Sequence, residues 1–116
     1  MQVRCLIVDD NQPFFDAARL LLEREGVPVV GVATTGAEAL RLEEELRPDV
    51  VLVDIRLGEE SGFDLARRLS RTVILISTHA QSEYAEEIAA SPAAGFIPKA
   101  QLSGSAVLRI AGHPTD

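Results

Sequence analysis

The feature that most constrains the fold is a fivefold alternation of short apolar runs with amphipathic segments. The apolar runs occupy residues 3–8, 27–32, 50–53, 72–76 and 95–97, and the helical segments occupy residues 13–25, 36–46, 63–69, 82–90 and 102–111. Because the runs are apolar throughout rather than alternating with polar residues, both faces of the sheet should be covered by helices. The pattern predicts an α/β fold with a parallel, doubly wound sheet, and right-handed crossovers send all strand carboxyl ends to one edge.

The size and charge of the chain limit its function. Its 116 residues fit one domain, so we expect a single domain over residues 1–116 with no output domain. A net charge of −7 without a cluster of basic residues disfavours direct binding of nucleic acid. No apolar run approaches the roughly 18 residues of a membrane span, and no targeting segment is evident.

The remaining features of composition favour the cytoplasm. The single cysteine, Cys5, lies in the first apolar run and is interpreted as a buried small hydrophobic residue rather than half of a disulfide. Residues 111–116 are small, polar and contain a proline, which is typical of a tail or the start of a linker.

Charged or reactive side chains follow four of the five apolar runs, at the edge where ligands bind in such sheets. These are Asp9 and Asp10 after the first run, Asp54 after the third, Ser77 after the fourth and Lys99 after the fifth. Singly, an aspartate there is often only a helix cap, a serine a turn hydroxyl, and a lysine a solvated charge. Together, three carboxylates within about 4 to 6 Å repel one another by several kcal/mol per pair, so a cation is expected.

Mg²⁺ is the cation that this group of side chains favours, because it prefers oxygen ligands and typically uses one or two carboxylates with a phosphate. With only His79, His113 and one cysteine, a zinc or haem site has little support. An aspartate beside a metal, a lysine and a hydroxyl is also typical of phosphoryl transfer through an aspartyl phosphate.

Four motifs carry a family resemblance: VDDNQ at residues 8–12, LVDIRLGEESG at 52–62, ILIST at 74–78 and GFIPK at 95–99. With these motifs the sequence resembles the receiver domain of bacterial two-component response regulators along essentially its whole length. The resemblance implies a flavodoxin-like fold with strand order 2-1-3-4-5, in which the first and third strands are neighbours and their acids converge.

The resemblance also implies roles for the site residues. Asp54 would be the phosphoacceptor, receiving a phosphoryl group from the phosphohistidine of a sensor histidine kinase or phosphotransfer protein. Asp10 would bind Mg²⁺ directly and Asp9 largely through water, with the backbone carbonyl of Arg56 as a further ligand. Lys99 would pair with the phosphoryl oxygens.

A switch follows from the same resemblance. Ser77 would move to hydrogen-bond the phosphoryl group. Phe96 would then swing inward into the space that the movement of Ser77 leaves. The surface formed by the fourth helix, fifth strand and fifth helix would then control an output protein or domain, and transcription is one process that this output could regulate. The same surface is a candidate homodimer surface. Apart from its own phosphorylation and dephosphorylation, the chain is not expected to be an enzyme.

Several residues depart from the family pattern. Gly58 replaces a common proline, and Arg56 and Thr78 are expected to affect access to the site and the lifetime of the acyl phosphate. Lys99 is followed by Ala100 rather than proline, which puts a cis peptide in doubt, since a non-proline cis bond costs about 3 kcal/mol. The segment from Asp54 to Ser77 is short, so a trimmed third helix or loop is expected.

Two alternatives remain at this stage. One is an Mg²⁺-dependent aspartyl-phosphate hydrolase of the haloacid dehalogenase type, but the tripeptide Asp9, Asp10, Asn11 does not match the DxD spacing, and no cap domain is present. The other is a receiver-like interaction module that is never phosphorylated.

Overall fold

The computed structural model describes residues 2–112 and contains the predicted alternation of strands and helices. The strands are β1 (Cys5–Val8), β2 (Val29–Ala33), β3 (Val50–Asp54), β4 (Arg56–Leu57), β5 (Glu60–Ser61), β6 (Thr72–Ser77) and β7 (Gly95–Pro98). The helices are α1 (Gln12–Arg24), α2 (Gly36–Leu46), α3 (Gly62–Arg68), α4 (Ala85–Ala90) and α5 (Gly104–Ile110). Most of the tail expected at 111–116 lies outside the described residues.

The main sheet has the order β2-β1-β3-β6-β7, and all its strand pairs are parallel. This confirms the order 2-1-3-4-5 that the family resemblance implies. Val8 of β1 pairs with Val53 of β3, so the residues that follow them, Asp9 and Asp54, emerge side by side at the carboxyl edge.

The core consists of two clusters, one on each face of the sheet. Cys5 and Ile7 belong to the first cluster, which α1 and α5 cover, whereas Leu6 and Val8 belong to the second, which α2, α3 and α4 cover. All four side chains are fully buried, and burial of each of the three aliphatic ones stabilises the fold by about 1.5–3 kcal/mol. The prediction that helices cover both faces is therefore confirmed. Burial in the first cluster also raises the pKa of the Cys5 thiol to about 12.

Polar caps set the helix boundaries. The Asn11 side chain accepts a hydrogen bond from the backbone N–H of Phe14, with Pro13 in the first turn of α1. The Ser103 side chain does the same for Ala106, so α5 begins at Gly104 rather than at residue 102 as predicted. The cap decides this boundary because the apolar pattern alone cannot show where the backbone turns.

Two local features differ from the prediction. The expected helix over residues 82–90 is a 3₁₀ turn, Gln81–Tyr84, followed by the six-residue α4, and the junction has no side-chain cap. The segment between β3 and α3, for which no strand was predicted, contains the antiparallel pair β4 and β5. No helix within residues 2–112 combines the length and apolar character needed to cross a membrane.

Candidate functional site

Three carboxylates meet at the carboxyl edge of the sheet. Asp54 is the last residue of β3, and Asp9 and Asp10 directly follow β1. One oxygen atom from each residue lies within 4.8 Å of the other two. Asp9 is 0% exposed and Asp54 8%, whereas Asp10 faces solvent. The predicted convergence of the three acids is confirmed.

A buried lysine lies against two of these acids. Lys99 begins a 3₁₀ turn directly after β7, and its Nζ lies 2.7 Å from Asp9 Oδ2 and 3.3 Å from Asp54 Oδ2. The Lys99 side chain is only 8% exposed, so water screens these contacts weakly. One ammonium group therefore faces two buried carboxylates, with the third carboxylate at the solvent side.

Backbone N–H groups orient one oxygen of each buried carboxylate. Asn11 N donates to Asp9 Oδ1 at 2.8 Å, and Arg56 N donates to Asp54 Oδ1 at 3.2 Å. Asp9 Oδ2 is buried and forms no hydrogen bond of good geometry, although the Lys99 ammonium is close to it. What fits a divalent cation such as Mg²⁺ is the set of hard oxygen donors, in which three carboxylates face one ammonium group.

The environment disfavours the charged form of Asp54. Burial raises the pKa of its carboxyl group, the nearby Asp9 carboxylate raises it further, and Lys99 and the Arg56 N–H act in the opposite direction. The site thus holds more negative charge than its single lysine balances, which again favours a bound cation.

The β4–β5 hairpin closes one side of the site. Arg56 pairs with Ser61 and Leu57 with Glu60, and Leu57 is 1% exposed and anchors the hairpin in the core. Gly58 at the turn has φ +61°, and a Cβ built there would lie 3.5 Å from Asp10 Oδ2. The turn therefore lies directly beside the exposed acid.

The expected ligand position, Arg56, is the first residue of this hairpin, and its side chain faces solvent. A cleft of about 530 Å³ opens beside the hairpin, lined among others by Ile55, Arg56 and Tyr84. Asp9, Asp10, Asp54 and Lys99 do not line this cleft, so it borders the hairpin rather than the group of acids.

The sequence model of the response regulator receiver domain family matches residues 5–109. The chain belongs to this family. A putative transcriptional regulator of Pseudomonas aeruginosa is 33% identical over 101 residues, covering 83% of this chain and 49% of that relative. A protein-glutamate methylesterase/protein-glutamine glutaminase of Alkalilimnicola ehrlichii is 36% identical over 113 residues, covering 90% of this chain and 29% of that relative.

Among solved structures, the signal receiver domain of the putative response regulator NarL from Mycobacterium tuberculosis superposes with a TM-score of 0.84 at 32% identity. The match covers 97% of this chain and 98% of that domain. In contrast, the chain spans about half the length, or less, of the curated relatives named above.

The two residues that the family resemblance predicts as the switch lie on β6, the neighbour of β3, and on β7, the edge strand beyond it. Ser77 ends β6, one residue beyond the partner of Asp54, and is 2% exposed; its Oγ accepts a hydrogen bond from His79 N at 3.0 Å. Phe96 on β7 is partly buried against the second core cluster. The neighbouring Thr78 is exposed.

The peptide geometry after the lysine is also defined in this receiver domain. Residues 2–112 contain no cis peptide bond, so the Lys99–Ala100 bond is trans. α3 is short, with seven residues.

Sequence reasoning missed two residues that border the site of this receiver domain. The Phe14 ring lies under the Lys99 ammonium, with Nζ 4.3 Å from the ring centroid, but its spacing indicated only a core position on α1. Glu60, for which no role was predicted, accepts hydrogen bonds from the backbone N–H of Gly36 on α2. The available signal for Phe14 was its position, because an aromatic residue in the first turn of a helix that starts at the ligand-binding edge lies close to the site. The sequence contained no comparable signal for Glu60.

Proposed function

We propose that this receiver domain is a phosphorylation switch in which Asp54 accepts a phosphoryl group from the phosphohistidine of a sensor histidine kinase or phosphotransfer protein. The observation that carries this proposal is the Lys99 ammonium, held at 2.7 and 3.3 Å from two buried carboxylates that have a third carboxylate beside them. A purely structural ion pair needs no third acid.

The transfer step follows from the residues around Asp54. One carboxylate oxygen forms a bond to phosphorus while the bond between phosphorus and the donor imidazole nitrogen breaks, and the electron pair leaves with that nitrogen. Arg56 N holds the other oxygen of the carboxylate, and Lys99 offsets negative charge on the phosphoryl oxygens.

Three acids and one carbonyl would hold the metal. Asp10, Asp54 and the Arg56 carbonyl are proposed as direct ligands, and Asp9 acts largely through a bound water. Mg²⁺ held by these residues would supply positive charge that offsets the negative charge of the phosphoryl oxygens. In its presence the Asp54 carboxylate stays ionised despite burial, as a nucleophile requires.

The proposed signal runs from Ser77 to the surface formed by α4, β7 and α5. The Ser77 hydroxyl turns from His79 N toward a phosphoryl oxygen, and Phe96 moves into the space that this leaves. α4 is a six-residue helix without a side-chain cap, so its rearrangement breaks few interactions. A second copy of the chain is one proposed partner for this surface.

The output is proposed to lie in an attached domain or a separate protein, with residues 1–116 acting as one receiver domain. A relative described as a transcriptional regulator supports control of transcription, and a relative described as a methylesterase supports control of an enzyme. Family membership argues against the hydrolase alternative, because receiver domains generally act as signalling modules rather than as enzymes.

Labelling of the intact protein tests the proposal. Acetyl phosphate with Mg²⁺ should add one phosphoryl mass to the wild type, detected by mass spectrometry, and Asp54→Asn should abolish the addition while keeping the same circular dichroism spectrum. Equal labelling of Asp54→Asn would remove Asp54 from the role. An unlabelled wild type under conditions that label another receiver would favour the module that is never phosphorylated.

A further inference from the structure

The Lys99 ammonium has a third partner besides its two carboxylates. Nζ lies 4.3 Å from the centroid of the Phe14 ring, in addition to its distances of 2.7 Å from Asp9 Oδ2 and 3.3 Å from Asp54 Oδ2. The face of an aromatic ring attracts a cation, most strongly where water is excluded, and the Lys99 side chain is only 8% exposed. The ammonium is thus enclosed by two anions and one ring.

The position of Phe14 is linked to that of the acids by a closed ring of contacts. Asp9 Oδ1 accepts from Asn11 N, and Asn11 Oδ1 accepts from Phe14 N at 3.1 Å. The Phe14 ring contacts the Lys99 ammonium, and this ammonium in turn contacts Asp9 Oδ2, which closes the ring of contacts. The turn that fixes Asp9 therefore also fixes Phe14, so the ring is part of the site's construction and more than a neighbour in the core.

We propose that Phe14 is a positioning residue that holds the Lys99 ammonium ready for the phosphoryl group. This inference rests on the proposed function. When Asp54 forms its bond to phosphorus, negative charge moves from the carboxylate to the phosphoryl oxygens, and the ammonium must follow it. A ring face attracts a cation over a wide area, whereas a hydrogen-bond acceptor requires a fixed direction. Lys99 can therefore slide across Phe14 without losing this partner or admitting water.

Packing alone is the competing explanation, because Phe14 also lies against the first core cluster. Phe15 provides a matched control. It is the next residue of α1, is likewise partly buried against the same cluster, and its ring makes no cation contact among the described residues. Replacement of Phe15 by leucine removes a similar amount of aromatic packing and leaves Lys99 unchanged.

The test compares Phe14→Leu, Phe14→Tyr and Phe15→Leu. Initial rates of phosphorylation by acetyl phosphate at saturating Mg²⁺ are measured by mass spectrometry, alongside Mg²⁺ affinity and melting temperature. We expect Phe14→Leu to lower the rate roughly fivefold, as the loss of a partly desolvated cation–π contact implies, with Mg²⁺ affinity within about twofold of the wild type. Phe14→Tyr keeps the ring and should restore the rate, and Phe15→Leu should leave it within about twofold.

Equal rate losses in Phe14→Leu and Phe15→Leu, or no rescue by tyrosine, would overturn the proposal. A measurement without phosphorylation adds a second criterion. The ε-methylene protons of Lys99 should show an upfield ring-current shift in NMR spectra of the unmodified protein, and Phe14→Leu should abolish it; absence of the shift in the wild type contradicts the contact. A wild type that is labelled while Phe14→Leu is unaffected refutes only this inference, whereas an unlabelled wild type refutes the proposed function and this inference together.

Discussion

The carboxylate of Glu60 accepts hydrogen bonds from the backbone N–H of Gly36, whose nitrogen lies 3.1 Å from Oε1 and 3.3 Å from Oε2. Gly36 is the first residue of α2, where the helix has no backbone partner for its N–H groups. The Thr35 side chain caps Glu38 N instead, so Glu60 satisfies a donor that the helix's own cap leaves free. This contact fastens the β4–β5 hairpin, and with it Arg56, to the start of α2.

The Glu60–Gly36 contact predicts coupling in a double-mutant cycle. A Cβ at Gly36 would collide with Glu60 Oε1, so Gly36→Ala should displace this carboxylate and weaken its hydrogen bonds to the Gly36 N–H. In the Glu60→Ala background there is no carboxylate to displace, so Gly36→Ala should change the free energy of unfolding more favourably than it does in the wild type. Urea unfolding of the four proteins measures both effects. Equal effects of Gly36→Ala in the two backgrounds would show that Glu60 does not occupy this position.

Removal of the Asp54 charge should stabilise the protein without metal. Since burial and then Asp9 raise the folded-state pKa of Asp54, folding favours its protonated form. The resulting stabilisation is complete below the unfolded-state pKa and is lost as the pH rises through the folded-state pKa. At pH 7 with a chelator, Asp54→Asn should therefore melt at a higher temperature than the wild type, and the difference should shrink toward pH 4.

Asp16→Asn is the control for this prediction, because Asp16 is an exposed acid on α1. It should shift the melting temperature little at either pH. A gain for Asp54→Asn that is the same at pH 7 and pH 4 would contradict the view that the buried charge is its cause.

Mg²⁺ should stabilise the folded protein, because a ligand that binds only the native state adds about 2.7 kcal/mol at 100 times its dissociation constant. Asp10→Ala should remove most of this stabilisation, since a proposed direct ligand is lost from the acidic cluster. Ser77→Ala should retain it, because a hydroxyl bonded to His79 N is not a proposed ligand. Melting curves over an Mg²⁺ titration give both values, and equal losses in the two variants would refute the metal assignment.

The sequence by itself determined the architecture and the main residues of the site. Uninterrupted apolar runs require a sheet that is covered on both faces, and parallel crossovers bring Asp9, Asp10, Asp54 and Lys99 to one edge whatever the details of packing. Periodicity reports which face of an element is buried, and strand ends report which side chains leave the core. These local signals place the acids and the lysine at one edge, whereas the adjacency of β1 and β3, which brings Asp9 beside Asp54, was implied by the family resemblance.

Only the tertiary structure decided how these residues are held. β4 and β5 have two residues each, too few for any periodic signal, and Glu60 meets a backbone N–H that lies 24 residues away in the sequence. Phe14 shows the same limit, because its spacing on α1 predicts burial but not the charge that it faces. A polar group or a ring face takes whichever partner the folded chain brings within a few ångströms, and residue order does not specify that distance.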